Sequence, residues 1–174
     1  DGNHNGIFSM IPPGSSKFPE TPKSGDPELA PKVYEFSEFI VDVLGISDMS
    51  TICEGIGQPI PRKVTYHEAC HLRREIGVKT QPRELIRSLP GVELIEMDQA
   101  EACCGFGGTF AVKYSDISGA ILQEKVDHVS NSGADTLVSC DITCLMQISG
   151  SLEQRGINVD AIHLAQLIDK VTMS

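Results

Sequence analysis

The amino-acid sequence predicts an α/β fold built on a parallel sheet of about four strands. Two observations support this prediction. From residue 63 onward, short runs of β-branched and apolar residues alternate with segments of helical periodicity. Glycine or proline follows most of the helical segments. Strands joined by helices of this length form right-handed βαβ units, in which successive strands are parallel.

The first 62 residues of the chain precede this alternation. Residues 1–27 contain five prolines and four glycines, which predicts an irregular lead-in. A helix is predicted next, because apolar residues recur at helical spacing from Leu29 to Leu44 and Gly45 can end it. Residues 46–62 are predicted to be a loop. We therefore expect a single cysteine-rich domain over residues 28–174.

The remaining elements alternate to the end of the chain. The predicted strands are KVTYHEA at 63–69, VELIEM at 92–97, DTLVSC at 135–140 and VDAIH at 159–163. The predicted helices cover residues 70–76, 82–89, 115–131, 142–154 and 164–172. The segment CCGFGG at 103–108 is predicted to be a loop.

Composition excludes several classes of partner. The 174 residues carry a formal net charge of −10, and the pI is about 4.8. Nucleic acids and anionic membranes bind basic patches, so this charge argues against both. No apolar run approaches the roughly 20 residues of a membrane span, and no signal-peptide pattern is visible. We expect a cytoplasmic location, where the six cysteines serve as metal ligands or redox groups rather than disulfides.

Five of the cysteines fall at corresponding places in the alternation. Cys70 follows the first strand, Cys103 and Cys104 follow the second, Cys140 closes the third, and Cys144 lies one helical turn beyond it. The carboxyl ends of parallel strands form one edge of a sheet, where ligands bind. We therefore expect these cysteines to gather at that edge.

Four interpretations of the cysteines compete. They are small buried apolar residues, zinc ligands, ligands of an iron–sulfur cluster, or a dithiol redox pair. A cluster explains the adjacent cysteines best, because neighbouring thiolates can bind different irons. It also needs backbone close to its sulfurs, and Gly105, Gly107 and Gly108 have no Cβ to obstruct that approach.

The spacing of these motifs resembles a known family. There are 32 residues between Cys70 and Cys103-Cys104-Gly105, and 35 residues between Cys104 and Cys140. Together with YHEACHL, CCGFGGTFAVKYSDIS and CLMQISG, this pattern resembles the cysteine-rich CCG domain of lactate utilization protein A. Its relatives are the glycolate oxidase iron–sulfur subunit and the cysteine-rich subunit of heterodisulfide reductase. Members usually carry two such repeats, so we expect this chain to hold the second.

The resemblance implies a 4Fe–4S cluster, of noncubane type in the best-understood relatives. Carried over by motif, Cys70, Cys103, Cys104 and Cys144 match ligand positions. The family typically ends in Cys-x-x-Cys or Cys-x-Cys, whereas this sequence has Cys140-x-x-x-Cys144. Either Cys140 reaches the site from one residue earlier, or the site has four thiols. Zinc, or no metal after loss of the cluster, is the alternative.

The sequence also predicts roles for two histidines and the sixth cysteine. His71 follows a predicted ligand, as in the family motif. It is not expected to bind the metal itself, but to donate a hydrogen bond to a cluster sulfur. His67 is assigned a structural role, and Cys53 is expected to be a free thiol outside the pattern.

The resemblance finally implies a function. We expect a non-autonomous iron–sulfur subunit of an oxidoreductase complex that transfers electrons in the oxidation of L-lactate or a similar 2-hydroxy acid. Its partners would be other iron–sulfur or flavin subunits. Two alternatives remain open: a zinc-binding or metal-free interaction module of the same fold, and a thiol–disulfide redox protein.

Overall fold

The computed structural model describes residues 33–50, 52–53 and 62–172 of the chain. All the elements below belong to the compact unit formed by residues 35–174. The predicted lead-in at 1–27 and the start of the first predicted helix lie outside the described residues.

The centre of the fold is a four-stranded sheet in which every pairing is parallel. Its strands stand in the order β2-β1-β3-β4. They are β1 (Arg62–Tyr66), β2 (Val92–Leu94), β3 (Thr136–Ser139) and β4 (Asp160–His163). All four residues of β3 are buried, as expected for an inner strand covered on both faces. The predicted α/β class is confirmed.

Helices connect the strands and follow the last one. They are α1 (Phe36–Glu38), α2 (Gln81–Ser88), α3 (Thr109–Lys113), α4 (Ser115–Asn131), α5 (Ile142–Gln154) and α6 (Leu164–Thr172). Two segments have π-helical hydrogen bonding: Phe39–Val43, which continues α1, and Leu72–Ile76. No helix in the described ranges is long and apolar enough to cross a membrane.

Two clusters of buried residues form the core. The first joins β3 to α4 and α5 through Leu137, Val126 and Ile148, and we call it the α4/α5 cluster. The second joins β1 and β3 to α2 and α6 and is called the α2/α6 cluster; its members include Val64, Val138, Leu85 and Leu167. Leu137 and its neighbour Val138 enter different clusters because successive side chains of a strand point to opposite faces.

The predicted elements agree with the structure most closely in the second half. The helices predicted at 115–131, 142–154 and 164–172 have the observed bounds. The strand predicted at 92–97 ends at Leu94. The short helix α3 was not predicted, because its glycine-rich approach indicated a loop.

Candidate metal centre

The loops at the carboxyl ends of β1 and β2, and the first turn of the helix after β3, bring four cysteines together. Cys70 starts the helical turn after β1, Cys103 and Cys104 lie in the loop after β2, and Cys144 lies in the first turn of α5. Cys104 and Cys144 are buried, Cys70 is half-buried, and Cys103 is exposed. The edge of the sheet therefore carries a group of thiols that is buried at one end and open at the other.

The four thiols form a continuous series of contacts. The sulfurs of Cys104 and Cys144 lie 3.2 Å apart, well beyond the roughly 2.05 Å of a disulfide. The thiol of Cys103 interacts with those of both Cys104 and Cys70. All four cysteines are free. We call this group the thiol cluster.

The environment raises the pKa values of three of these thiols. Contact with Cys103 lowers the pKa of Cys104, but contact with Cys144 and burial outweigh it and raise the value to about 11. The side chain of Cys104, followed by burial, raises the pKa of Cys103. Burial, followed by Cys103, raises the pKa of Cys70. Burial and hydrogen bonds between neighbouring thiols thus favour the protonated form of these three groups.

The loop after Cys104 approaches α4 so closely that it requires glycine. Gly105 has a φ of +84°, and a Cβ on it would lie 2.5 Å from the carbonyl oxygen of Ser118. The Ser118 hydroxyl donates a 2.8 Å hydrogen bond to the Gly105 carbonyl. The Gly105 N–H points to the sulfur of Cys103 at 3.3 Å, and the Phe106 backbone interacts with the sulfur of Cys104. The loop thus directs backbone N–H groups at sulfur.

Asp141 links two sides of the thiol cluster. It caps α5, accepting hydrogen bonds from the backbone N–H groups of Thr143 at 2.7 Å and Cys144 at 3.0 Å. Its other oxygen lies 2.9 Å from Nδ1 of His71. Burial alone would raise the pKa of Asp141, but its hydrogen bonds outweigh burial and hold the pKa below its ordinary value. His71 was expected to contact a sulfur, and the structure places its Nδ1 on this carboxylate.

His67 lies directly against the thiol cluster. A ring nitrogen of His67 and the sulfurs of Cys104 and Cys144 all lie within 4.8 Å of one another. The residue is 1% exposed. One imidazole and two thiols at this separation are a set of ligand atoms suited to a metal ion. From the sequence, His67 was assigned a structural role, because its position alone did not show that its ring turns toward the thiols.

A buried lysine stands beside the same group. Lys125 on α4 is 1% exposed, and its Nζ donates to the carbonyls of Gln99 at 2.6 Å and Ala100 at 3.3 Å. Burial lowers the pKa of Lys125 to about 8, while Glu101 and the nearby thiols act in the opposite direction. Lys125 was not among the site residues predicted from the sequence. Its position in the sequence could have indicated that it is buried. Lys125 lies four residues from both Ile121 and Val129, and this spacing puts it on the apolar face of α4.

Cys140 occupies a different environment. Its sulfur lies 3.9 Å from the hydroxyl oxygen of Tyr66 and interacts with the side chains of Glu35 and Ser37. Burial, followed by the Glu35 carboxylate, raises its pKa. The structure therefore brings Cys70, Cys103, Cys104 and Cys144 together and gives Cys140 its own partners. Cys53, outside the predicted pattern, is a buried free thiol in the α2/α6 cluster.

The chain is similar to a known protein family and to several curated proteins. The model of a family described as "Cysteine-rich domain", CCG, matches residues 64–149. Over 142 residues the chain is 44% identical to lactate utilization protein A of Macrococcus caseolyticus (strain JCSC5402), covering 82% of this chain and 55% of that protein. It is 41% identical to lactate utilization protein A of Lysinibacillus sphaericus (strain C3-41), covering 93% and 73%.

A third relative, lactate utilization protein A 1 of Bacillus mycoides (strain KBAB4), is 38% identical over 164 residues, with 92% of this chain and 64% of the relative covered. The chain thus spans 55% to 73% of the length of these three curated relatives. The cysteine-rich family and the His67, Cys104 and Cys144 group together indicate a metal-binding site.

Proposed function

Because this chain belongs to the lactate utilization protein A family, we propose that it carries an iron–sulfur centre for electron transfer in the oxidation of L-lactate or a similar 2-hydroxy acid. Cys70, Cys103, Cys104 and Cys144 are the proposed ligands, and the proposed group is a 4Fe–4S cluster. Other iron–sulfur or flavin subunits of a redox complex are the proposed partners. Cys140 is left outside the ligand set.

The observation that carries this proposal is the contact series of four thiols across three separate segments. Cys104 and Cys144 are 40 residues apart in sequence, yet their sulfurs are 3.2 Å apart. Buried thiols need no such arrangement for packing alone, because an apolar side chain would fill the same space. A multi-iron cluster does need several thiolates converging from different segments.

The surroundings of the thiols also fit a bound anionic group. The buried ammonium of Lys125 has two neutral carbonyls as its hydrogen-bond partners. A buried cation is costly unless an anion compensates it. Thiolates around a metal cluster supply that anion, and the backbone N–H of Gly105 already points at one sulfur.

When bound, a cluster of this kind accepts and releases single electrons. The residues of this chain would bind it, orient it and set its potential. Backbone N–H groups and the Lys125 charge favour the more negative, reduced form and so raise the potential. The Asp141 cap fixes the backbone that carries Cys144.

The direct test is to purify the chain without oxygen, reconstitute it with iron and sulfide, and assay iron, acid-labile sulfide and the visible spectrum. We expect iron and sulfide in equal amounts, with broad visible absorption. Absence of all three after anaerobic reconstitution rejects the iron–sulfur proposal.

A second candidate function is a zinc-binding interaction module. The approach of His67, Cys104 and Cys144 within 4.8 Å favours it, since imidazole and thiolates are common zinc ligands. One zinc per chain after anaerobic purification, with no iron taken up on reconstitution, would select this function. The thiol–disulfide alternative requires an exposed thiol of low pKa, whereas the pKa of the exposed Cys103 is raised.

A further inference from the structure

The imidazole of His67 is buried and lacks hydrogen-bond partners. The residue follows β1, and its backbone N–H donates to the carbonyl of Val138 at 2.8 Å, which holds it beside β3. Neither Nδ1 nor Nε2 has a hydrogen-bond partner. An unpaired polar group in a protein interior costs about 1–3 kcal/mol. A ring with both nitrogens unpaired therefore indicates a partner that is not part of the polypeptide.

The nearest acceptors are already engaged. The Ala100 carbonyl contacts the His67 ring outside normal hydrogen-bond geometry, and it already accepts from the Glu68 backbone N–H at 3.1 Å and from Lys125 Nζ at 3.3 Å. One oxygen of Asp141 accepts from Thr143 and Cys144, and the other pairs with His71. Rotation of these neighbours to serve His67 would leave other buried groups unpaired.

Distances suit a shared metal. Metal–sulfur bonds of about 2.3 Å and metal–nitrogen bonds of about 2.0 Å put two ligand atoms of one tetrahedral ion roughly 3.5–3.8 Å apart. The distance between the two sulfurs, 3.2 Å, is slightly shorter than this range. The ring nitrogen lies within 4.8 Å of both sulfurs, a limit slightly longer than this range. Adjustments of a few tenths of an ångström to about one ångström would complete the geometry.

We propose that His67 is itself a metal ligand, and that one of its ring nitrogens binds the metal held by Cys104 and Cys144. The inference rests on the proposed function to the extent that this metal is an iron of the cluster. The centre would then have mixed thiolate and imidazole ligands. Replacing thiolate by imidazole raises the reduction potential of an iron–sulfur centre, as in Rieske clusters.

The first test uses cobalt(II) as the probe on the metal-free full chain under reducing, oxygen-free conditions. We expect tetrahedral cobalt absorption bands and, by X-ray absorption, a nitrogen neighbour at about 2.0 Å beside sulfur at about 2.3 Å. This measurement needs no variant. Cobalt bound through sulfur alone, or no tetrahedral cobalt site, overturns the proposal.

Variants then assign the nitrogen. His67→Ala is expected to weaken cobalt binding at least tenfold and to remove the nitrogen neighbour, whereas His67→Cys restores tight binding with stronger sulfur-to-metal charge transfer. His128→Ala is the matched control, because His128 lies on α4 beside Glu124, and it is expected to bind cobalt as wild type does. Circular dichroism checks folding. A nitrogen neighbour that persists in folded His67→Ala, or in His67→Cys, overturns the assignment.

The iron form separates this inference from the proposed function. The protein is labelled with ¹⁵N-histidine, reconstituted with iron and sulfide, and reduced. We expect its electron–nuclear double resonance spectrum to contain the coupling of a nitrogen bonded directly to iron. This coupling should be lost in His67→Cys. A cluster without that coupling rejects His67 as an iron ligand and leaves the iron–sulfur function standing. Failure to take up iron, with nitrogen still bound to cobalt, rejects the function and supports His67 as a ligand.

Discussion

Two thiols that follow the same strand have different polar partners, although both pack against the α4/α5 cluster. Cys144 packs within the α4/α5 cluster, with its sulfur 3.2 Å from that of Cys104. Cys140 lies at the end of β3, with its sulfur 3.9 Å from the Tyr66 hydroxyl, and Tyr66 belongs to the α2/α6 cluster. The helix cap at Asp141 separates the two cysteines. Closeness in sequence therefore does not place two cysteines in one site, because the chain changes direction between them.

The difference between the two environments is tested most directly by removing one thiol from each. Cys104→Ala is expected to abolish iron binding on anaerobic reconstitution, because it removes the sulfur at the centre of the contact series. Cys140→Ala is expected to retain wild-type iron and sulfide per chain. The measurement is the iron and sulfide content of each variant.

Cys53→Ala is the control for the loss of a buried thiol, since Cys53 lies in the α2/α6 cluster. Equal loss of iron in Cys140→Ala and Cys104→Ala would put Cys140 in the ligand set and remove the distinction between the two environments.

The thiol cluster also depends on its backbone, which Gly105→Ala tests. The new Cβ would meet the Ser118 carbonyl at 2.5 Å in a backbone conformation with φ +84°. We expect a loss of about 2–4 kcal/mol in the free energy of unfolding, measured by denaturant titration, together with reduced iron binding.

Gly77→Ala is the matched control. Gly77 also has positive φ, at +90°, in the left-handed helical region, but a Cβ there meets nothing within 4 Å. Its cost should stay at about 1–2 kcal/mol, the backbone strain alone. If both variants lose equal stability, close approach to α4 does not constrain this loop.

The charge beside the thiols is tested by pH in the metal-free protein. The pKa of Lys125 is lowered from 10.5 to about 8 by burial. Between these values the unfolded state binds more protons, so this group makes stability rise with pH. The cost of the buried charge is fully present below about pH 8 and gone above about pH 10.5. Lys125→Met removes it.

The difference in unfolding free energy, variant minus wild type, should therefore fall by up to about 3 kcal/mol from pH 7.5 to 10.5. The nearby thiols interact with Lys125, so the fall also includes the change in their pKa values that loss of the lysine causes. Lys113→Met removes the same charge at an exposed position and controls for net charge. A difference independent of pH would mean that Lys125 is not titrated in this range.

The smallest effect is expected at Cys140. Tyr66→Phe removes the hydroxyl that lies 3.9 Å from its sulfur, a weak contact, so the free energy of unfolding should change by less than about 1 kcal/mol. Iron content should be unchanged. A measurable loss of iron in this variant would connect the Cys140 environment to the thiol cluster.

Much of the fold follows from local sequence. The helices α4, α5 and α6 have apolar periodicity, and Asp141 caps the start of α5, so their limits agree with the prediction. Segments governed by distant contacts were predicted less well. The pairing of β2 with β1 extends only as far as Leu94, and α3 forms after a glycine-rich loop whose own residues indicate no helix. Their extent depends on the neighbours that supply hydrogen bonds.

The sequence by itself determined the α/β class, the family resemblance and the placement of Cys70, Cys103, Cys104 and Cys144 after strands, because periodicity and spacing are local properties. Only the tertiary structure decided which side chains meet. It turned Cys140 toward Tyr66, His67 toward the thiols and Lys125 into the core beside them. The direction of a side chain depends on the face of the strand or helix it occupies and on the segments packed against that face.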